Sequence, residues 1–344
     1  MMVKKKVKLS DIASKLGVSV SLVSFVMSGK WKENRVSQEL AKKVQKTAEE
    51  LGYQPNTAAR ALRTGKSGVI GLVVADISNS FYGKIAREIE NEASRHGFQL
   101  MFASSDEKLE KFKKIVDTLI SRQVDGLIIV PVKGSATYLI RKKEQGIPIV
   151  LVDRNFPKTK LPFVVDDGRF GGKQLTKLLI DNGHQKIATV VFKGELSNYN
   201  ERVEAFIDTL NQENIKIASD DIIEIPERNF QVILEAKLLI SIKNGVQGFF
   251  FTQNKIGIEA LRIFKKNKIK IPEDIVVASY DNPEIFELGT PTITCYQQSI
   301  KEISSHSVKI VKEIINKGHS SLEKIILKGR LIERESSNKL NSSL

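Results

Sequence analysis

The chain has 344 residues, 41% of them hydrophobic, and a formal net charge of +14, which is enough apolar material for two or three packed units and too much for a disordered polymer. No apolar run approaches the roughly 18 residues that span a bilayer, and the early lysines lead into LSDIAS instead of a secretory hydrophobic region, so a cytoplasmic protein with no membrane partner is expected. A single cysteine, Cys295, excludes an internal disulfide, and the four scattered histidines offer no zinc-ligand spacing; no metal and no cofactor are expected.

The charge is unevenly placed: residues 1 to 66 hold 14 Lys or Arg against 5 Asp or Glu, and the rest hold 40 against 35. A small basic domain attracts a polyanion; the competing reading is a solubilising surface. Within it, Leu9, Ile12, Ala13 and Leu16 recur at helical spacing, with Ser10 expected as N-cap and Gly17 as the left-handed stop. Ser19 can cap a second short helix containing Leu22, Val23, Val26 and Met27, closed by Ser28-Gly29. Two helices around a glycine-containing turn make a helix-turn-helix. A third helix is expected from Ser37 to Leu51, with Leu40, Val44, Ala48 and Leu51 inward and Gly52 at its end.

The second of these helices, VSVSLVSFVMS, is nearly uncharged in a basic protein. That composition suits a helix laid in the major groove, where Ser19, Val20, Ser21, Ser24 and Phe25 supply hydroxyls, shape and apolar contact while surrounding lysines supply affinity. An ordinary amphipathic helix is the competing reading.

From Val69 onward the rhythm changes to strand then helix. The runs 69 to 77, 125 to 132, 147 to 153, 186 to 192, 245 to 252 and 274 to 281 read as buried parallel strands, separated by amphipathic stretches such as 82 to 96, 107 to 121, 169 to 183, 199 to 212 and 230 to 243. This alternation predicts an α/β fold: a helix-turn-helix headpiece, then two doubly wound parallel-sheet subdomains joined by a hinge. Ligands in such folds sit at the carboxyl ends of strands. The candidates there are Asn79 and Phe81 in DISNSFY, Asp153-Arg154 after IPIVLV, Arg202 at the end of a loop after residue 192, Gln253-Asn254 after GFFFT, and Asp281 after VVASY. Asp281 as a turn cap and Asp153-Arg154 as an interdomain salt bridge are equally open. Carboxylates, arginines and amides together suit a polyhydroxylated ligand, since each hydroxyl both donates and accepts; a sugar is the expected effector, with a nucleobase or phosphorylated compound as alternatives.

The stretches DIASKLGVSVSLVSFVMSG and NRVSQELAKKVQKTAEELGYQPNTAARALRTGKSGVIGLV closely resemble the N-terminal region of the LacI/GalR bacterial transcription repressors. The likeness continues through DISNSFYGKIAREIENEASRHGF, VDGLIIVP, IPIVLVDR, LLIDNGHQKIA, IPEDIVVASYDN and RLIERES, nearly to residue 336. It implies subdomains of periplasmic-binding-protein type, a homodimer, a pseudo-palindromic double-stranded DNA operator, and a small-molecule effector that controls repressor affinity. The implied divisions are a headpiece over 1–54, a hinge helix and linker over 55–68, an effector-binding and dimerisation domain over 69–336, and a tail over 337–344. Within the third, the N-subdomain takes about 69–167 and 298–322 and the C-subdomain about 168–297 and 323–336. In the family the connector becomes a hinge helix in the minor groove with a wedged leucine. Leu62 matches that position, in an alanine-rich stretch containing Asn56 and Arg60; a plain linker is the competing reading. The expected DNA-binding set is thus Ser10, Ser19, Val20, Ser21, Ser24, Phe25, Asn56, Arg60 and Leu62.

By the same resemblance Asn79, Phe81, Asp153, Arg154, Arg202, Gln253, Asn254 and Asp281 fall at effector positions. Two departures stand out: Phe25 replaces an arginine usual in the recognition helix, so that base is read through a thymine methyl, by shape, or not at all. Gln253-Asn254 stands where relatives often carry Asn-Asp, removing a negative charge. Trp31 in GKWKEN is expected to pack beneath the third helix. The tail lacks leucine heptads, so no tetramer through a C-terminal coiled coil is expected. No nucleotide-loop, HExxH or GxSxG signature is present, and no enzyme is expected. The alternatives are a DNA-binding regulator controlled by a protein co-regulator, and a solute-binding protein without a DNA role.

Overall fold

In the computed structural model, residues 7–53, 65–194, 197–227, 229–318 and 323–338 are described. The chain divides into two compact units, Met1–Ser67 and Gly68–Leu344.

Among the described residues the first unit holds three helices: α1 (Leu9–Leu16), α2 (Val20–Met27) and α3 (Gln38–Glu50). The chain axis turns through 114° between α1 and α2, a helix-turn-helix crossing. Gly17 makes the turn at φ 65°, a conformation that costs a residue with a Cβ. The hydroxyls of Ser19 and Ser37 accept from the N–H groups of Leu22 (3.2 Å) and Leu40 (3.3 Å), capping α2 and α3. Ser10, by contrast, is not the cap of α1. The cap is Lys8, whose backbone N–H donates to the Asp11 carboxylate at 2.8 Å, and Ser10 lies exposed inside the first turn. Ile12, Ala13, Val23, Val26, Ala41, Val44 and Ala48 form the core, and Trp31 packs against it with the Lys32 ammonium 5.3 Å from its ring centroid.

The second unit contains two six-stranded sheets. In chain order the strands are β1 (Val69–Val74), β2 (Gln99–Ser104), β3 (Gly126–Ile129), β4 (Ile149–Val152), β5 (Phe163–Asp166), β6 (Ile187–Phe192), β7 (Ile222–Ile225), β8 (Gly248–Phe251), β9 (Val276–Tyr280), β10 (Thr294–Gln297), β11 (Lys324–Leu327) and β12 (Arg330–Ile332). The first sheet runs β11-β5-β4-β3-β1-β2 and the second β12-β10-β9-β8-β6-β7. All pairings are parallel except β10 with β12. Strands β3, β4, β6, β8 and β9 are buried at every residue, as continuous apolar runs covered on both faces must be. Helices α4 (Ser80–Arg95), α5 (Leu109–Ser121), α6 (Ala136–Glu144), α7 (Gly168–Asp181), α8 (Ser197–Gln212), α9 (Gln231–Lys243), α10 (Asn254–Lys266), α11 (Ile285–Leu288) and α12 (Ile300–Lys317) complete the order. Each sheet separates two apolar clusters, one on each face.

The chain crosses between the sheets three times: after β5, after β10, and between β11 and β12. The last crossing corrects one expected boundary. Lys324–Leu327 pairs with Phe163–Asp166 in the first sheet, so the return to the second subdomain comes at Gly329 and not at 322/323. A Cβ on Gly329 would lie 2.2 Å from the Gln297 carbonyl oxygen, so the crossing strands can touch only through a glycine.

Candidate functional site

On α2, Ser19, Val20, Ser21 and Phe25 are exposed and Ser24 is half-buried, while Val23 and Val26 turn inward. Val20 and Phe25 keep 48% and 37% of their surface in solvent. An exposed valine and phenylalanine on an uncharged helix form an apolar face flanked by hydroxyls, a chemistry that matches thymine methyl groups. The Ser19 hydroxyl is engaged by its own helix cap. Asn56, Arg60 and Leu62 lie outside the described residues.

In the second unit the carboxyl ends of β1, β4, β8 and β9 face one another across the gap between the sheets, and the side chains that follow them form one polar cluster. Arg154 lies at its centre, 2% exposed. Its guanidinium donates to both Glu107 carboxylate oxygens (2.7 and 2.9 Å), to the Tyr82 hydroxyl (3.1 Å) and, across the gap, to the Tyr199 hydroxyl (3.1 Å). Tyr82 donates in turn to Asp153 at 3.0 Å. Burial lowers the affinity of the guanidinium for its proton, but Tyr82, Tyr199 and Glu107 more than reverse this and hold Arg154 above its ordinary range. Asp153 and Asp281 are each presented by a left-handed backbone, at φ 66° and 67°, a strained conformation that persists where surrounding structure demands it. Both are buried, and burial raises both above the usual carboxylate range, with Arg154 and Arg202 opposing the rise at Asp153 and Arg202 opposing it at Asp281.

Arg202 stands in the second turn of α8, not at the end of a loop as expected, because the helix starts at residue 197. It donates to the Thr252 carbonyl at 2.7 Å and lies 3.5 Å from the Tyr280 ring centroid. The Asp281 carboxylate accepts from the Gln298 amide at 2.7 Å. Asn79 and Asn254 meet directly: Asn254 donates to Asn79 at 2.9 Å, while Asn79 also caps α4 through the Phe81 N–H at 3.0 Å. Phe81 is 6% exposed and sits in the core beside Tyr82, so its ring is a wall of the site with little free face. Lys255 pairs with Asp76 at 3.2 Å, and Lys84 donates to the Asn282 carbonyl at 2.9 Å.

Two cavities remain beside this cluster. One, of about 160 Å³, is bounded by Glu107, Arg154, Tyr199 and Gln253 among others; the second, of about 200 Å³, is bounded by Phe81, Asn254, Asp281 and Gln298. Both fall below the roughly 300 Å³ at which ligand pockets begin. The Gln253 Nε2, Asn254 Oδ1 and Gln298 Oε1 atoms are buried there without a hydrogen-bond partner. A wider groove of about 990 Å³ passes between α4 and residues 297–302, but Asp153, Arg154 and Arg202 do not line it. Glu107, Tyr82, Tyr199, Lys255 and Gln298 escaped sequence reading. Glu107 and Gln298 follow β2 and β10, two strands that lack a long apolar run, Tyr82 and Lys255 lie one step beyond Phe81 and Asn254, and Tyr199 lies three residues before Arg202. Among the described residues no group of three metal-ligating side chains occurs, and no single helix is long and apolar enough to cross a membrane.

A helix-turn-helix unit followed by two parallel sheets around a polar cleft defines a DNA-binding transcription regulator with a periplasmic-binding-protein-like body. Residues 8–56 match the model of the bacterial regulatory proteins of the lacI family, and residues 176–337 match that of the periplasmic binding protein-like domain. The chain thus carries a LacI-family helix-turn-helix domain joined to a periplasmic-binding-protein-like domain, and its relatives are LacI-family regulators, not enzymes. The HTH-type transcriptional regulator DegA of Bacillus subtilis is 28% identical over 340 residues, spanning 98% of this chain and 100% of that protein. A LacI family transcriptional regulator from Enterococcus faecium, solved with bound ribose, matches with a TM-score of 0.68 and 27% identity over 79% of this chain and 100% of its own. The lac repressor dimer bound to operator and the anti-inducer ONPF has the same fold, with a TM-score of 0.83 and 20% identity over 97% of this chain and 100% of its own.

Proposed function

We propose that this regulator is a homodimeric repressor that binds a pseudo-palindromic operator through α2, and that its affinity is set by a sugar held between the two subdomains. The observation that carries the effector half is the set of buried, unpartnered amide atoms of Gln253, Asn254 and Gln298 bordering two cavities between the sheets. Buried polar groups without partners are uncommon, and a hydroxyl, which donates and accepts, satisfies either end of an amide. The bound ribose of the Enterococcus faecium regulator supports the same class. Because the cavities are smaller than a ligand pocket, admission requires the subdomains to part, and the ligand acts by shifting that equilibrium. On this reading residues 55–68 form the hinge that joins the body to the headpiece, with Leu62 as a wedge in the minor groove.

The test is a thermal-shift panel of uncharged sugars on the full chain, followed by footprinting of operator DNA with every hit. A hit that raises the midpoint and changes protection is expected. A panel without a hit, or hits that leave protection unchanged, removes the sugar from the mechanism.

A further inference from the structure

Resting on the reading of the cleft as an effector site, we infer that Glu107 makes the cleft select uncharged ligands, by occupying the one arginine face that an anionic ligand would need. The end of β4 and the second turn of α8 bring two guanidinium groups to the gap, and two arginines at a ligand site ordinarily invite a carboxylate or a phosphate, whose oxygens match the fork of donors. Here Arg154 is committed, its Nε lying 3.4 Å from Asp153, while Arg202 keeps a buried Nε without a hydrogen-bond partner but borders neither cavity. Both oxygens of Glu107 lie on Arg154, which also donates to two tyrosine hydroxyls. Arg202 is engaged by the Thr252 carbonyl and the Tyr280 ring, and its charge is shared among Asp153, Asp166 and Asp281.

Glu107 is held in this place by its backbone. Asp106 and Glu107 are consecutive residues at φ 52° and 55°, a left-handed pair that costs free energy for residues with side chains. The Glu107 N–H donates to the Ala75 carbonyl at 3.1 Å, and Asp106 pairs with Lys111 at 2.6 Å, so the loop is anchored at Glu107 itself and at the residue before it. The cavity that this pair borders carries four acids, Asp76, Asp106, Glu107 and Glu227, against two bases, Arg154 and Lys255. An incoming anion meets a negative wall and a neutralised arginine. An uncharged polyol meets tyrosine hydroxyls and the unpartnered Gln253 amide. Glu107 therefore acts through Arg154 as a positioning and charge-filtering residue.

The experiment compares wild type with Glu107→Gln, which keeps the shape and removes the charge, and Glu107→Ala, which opens the arginine fork. Thermal midpoints of the full chain are read with glucose, ribose and cellobiose, with glucuronate and glucose 6-phosphate, and with acetate. Wild type should respond to none of the anions. Both variants should gain binding of an anion at least tenfold above wild type, and acetate should raise the midpoint of Glu107→Ala alone by filling the vacated place. Wild type binding an anion as well as its variants do overturns the inference, as does failure of both variants to respond to any anion. If one variant does not fold in buffer, recovery of its transition by acetate reads the same fork; no recovery and no anion response in the other counts against it. The uncharged sugars report separately. A wild-type response to them alongside variants that ignore anions sinks the filter and spares the effector site, whereas anion-binding variants with no sugar response in wild type do the reverse.

Discussion

Replacing Asp166 by asparagine should stabilise the second unit, and by an amount that grows with pH. Asp166 ends β5 at the first crossing between the sheets, and Tyr280 of β9 donates a hydrogen bond to it. Burial pushes its carboxyl up from 3.8 to about 7; the Tyr280 hydroxyl and Arg202 oppose the rise, while Asp281 and Asp167 add to it. The Asp166 charge in turn raises the Tyr296 hydroxyl, which burial already holds up. A carboxyl whose proton affinity is raised in the folded state binds more protons there than when unfolded, so stability falls as pH rises. The loss begins near the unfolded value and is complete above about pH 7. A rise from 3.8 to about 7 corresponds to about 4 kcal/mol in full, of which ~2.5 kcal/mol accrues between pH 5 and pH 8. Asparagine still accepts from Tyr280 and carries no charge to desolvate. Urea unfolding of wild type and Asp166→Asn, followed by a signal from the second unit at pH 5, 6.5 and 8, should show the gap between them widening by ~2.5 kcal/mol. Parallel curves would mean that Asp166 is not held protonated by its surroundings, and the argument from burial would fail.

Arg202→Ala should abolish the response of operator binding to effector while the headpiece still binds DNA; band-shift titrations with and without ligand read this, and an intact response removes Arg202 from the cleft. Ser19→Ala should lower headpiece stability by about 1 kcal/mol, the usual worth of an N-cap hydroxyl, measured by thermal unfolding of the first transition; no change would mean that the 3.2 Å bond to Leu22 does not contribute. Leu62→Ala should weaken operator binding far more than nonspecific DNA binding at fixed salt, and equal loss in the two would argue against a wedge.

The parts of the fold legible in the sequence were those with a local cause. Gly17, Ser19 and Ser37 stand at helix ends because one residue supplies the required backbone or hydroxyl, and continuous apolar runs marked most of the strands covered on both faces, though not the four-residue β5. Ser10 misled because Asp11, one residue on, can also reach back, and its carboxylate takes the Lys8 N–H instead. Strand β2 escaped because an edge strand with exposed Met101 and Phe102 shows no continuous burial. Strands β11 and β12 are short and neither is buried along its length, and nothing local indicates that strands separated by two residues join different sheets. In the cleft, the rule of strand ends located Asp153, Arg154 and Asp281, which meet there. It could not give Glu107 or Tyr199, which reach Arg154 from 47 and 45 residues away, since such pairings are set by the packing of whole subdomains. Nor could it show that Asn79 and Asn254 spend hydrogen bonds on each other.

Those cross-gap contacts set the scale on which such a regulator can respond. Among the described residues they include Arg154 to Tyr199, Asn254 to Asn79 and Ser80, Tyr280 to Asp166, Lys84 to the Asn282 carbonyl, and Lys255 to Asp76. A hydrogen bond contributes about 0.5–1.5 kcal/mol net, more when charged, and a half-exposed ion pair about 1 kcal/mol or less. Closure is thus held by a few kcal/mol, comparable to the ~5.5 kcal/mol needed to carry a two-state equilibrium from 1:99 to 99:1. A ligand that replaced one of these contacts and satisfied the amides of Gln253, Asn254 and Gln298 would supply a difference of that size through a few hydrogen bonds. A cleft sealed by a large apolar interface could not be moved by so small a molecule, and the polar character of the contacts between these sheets is what leaves the equilibrium within a metabolite's reach.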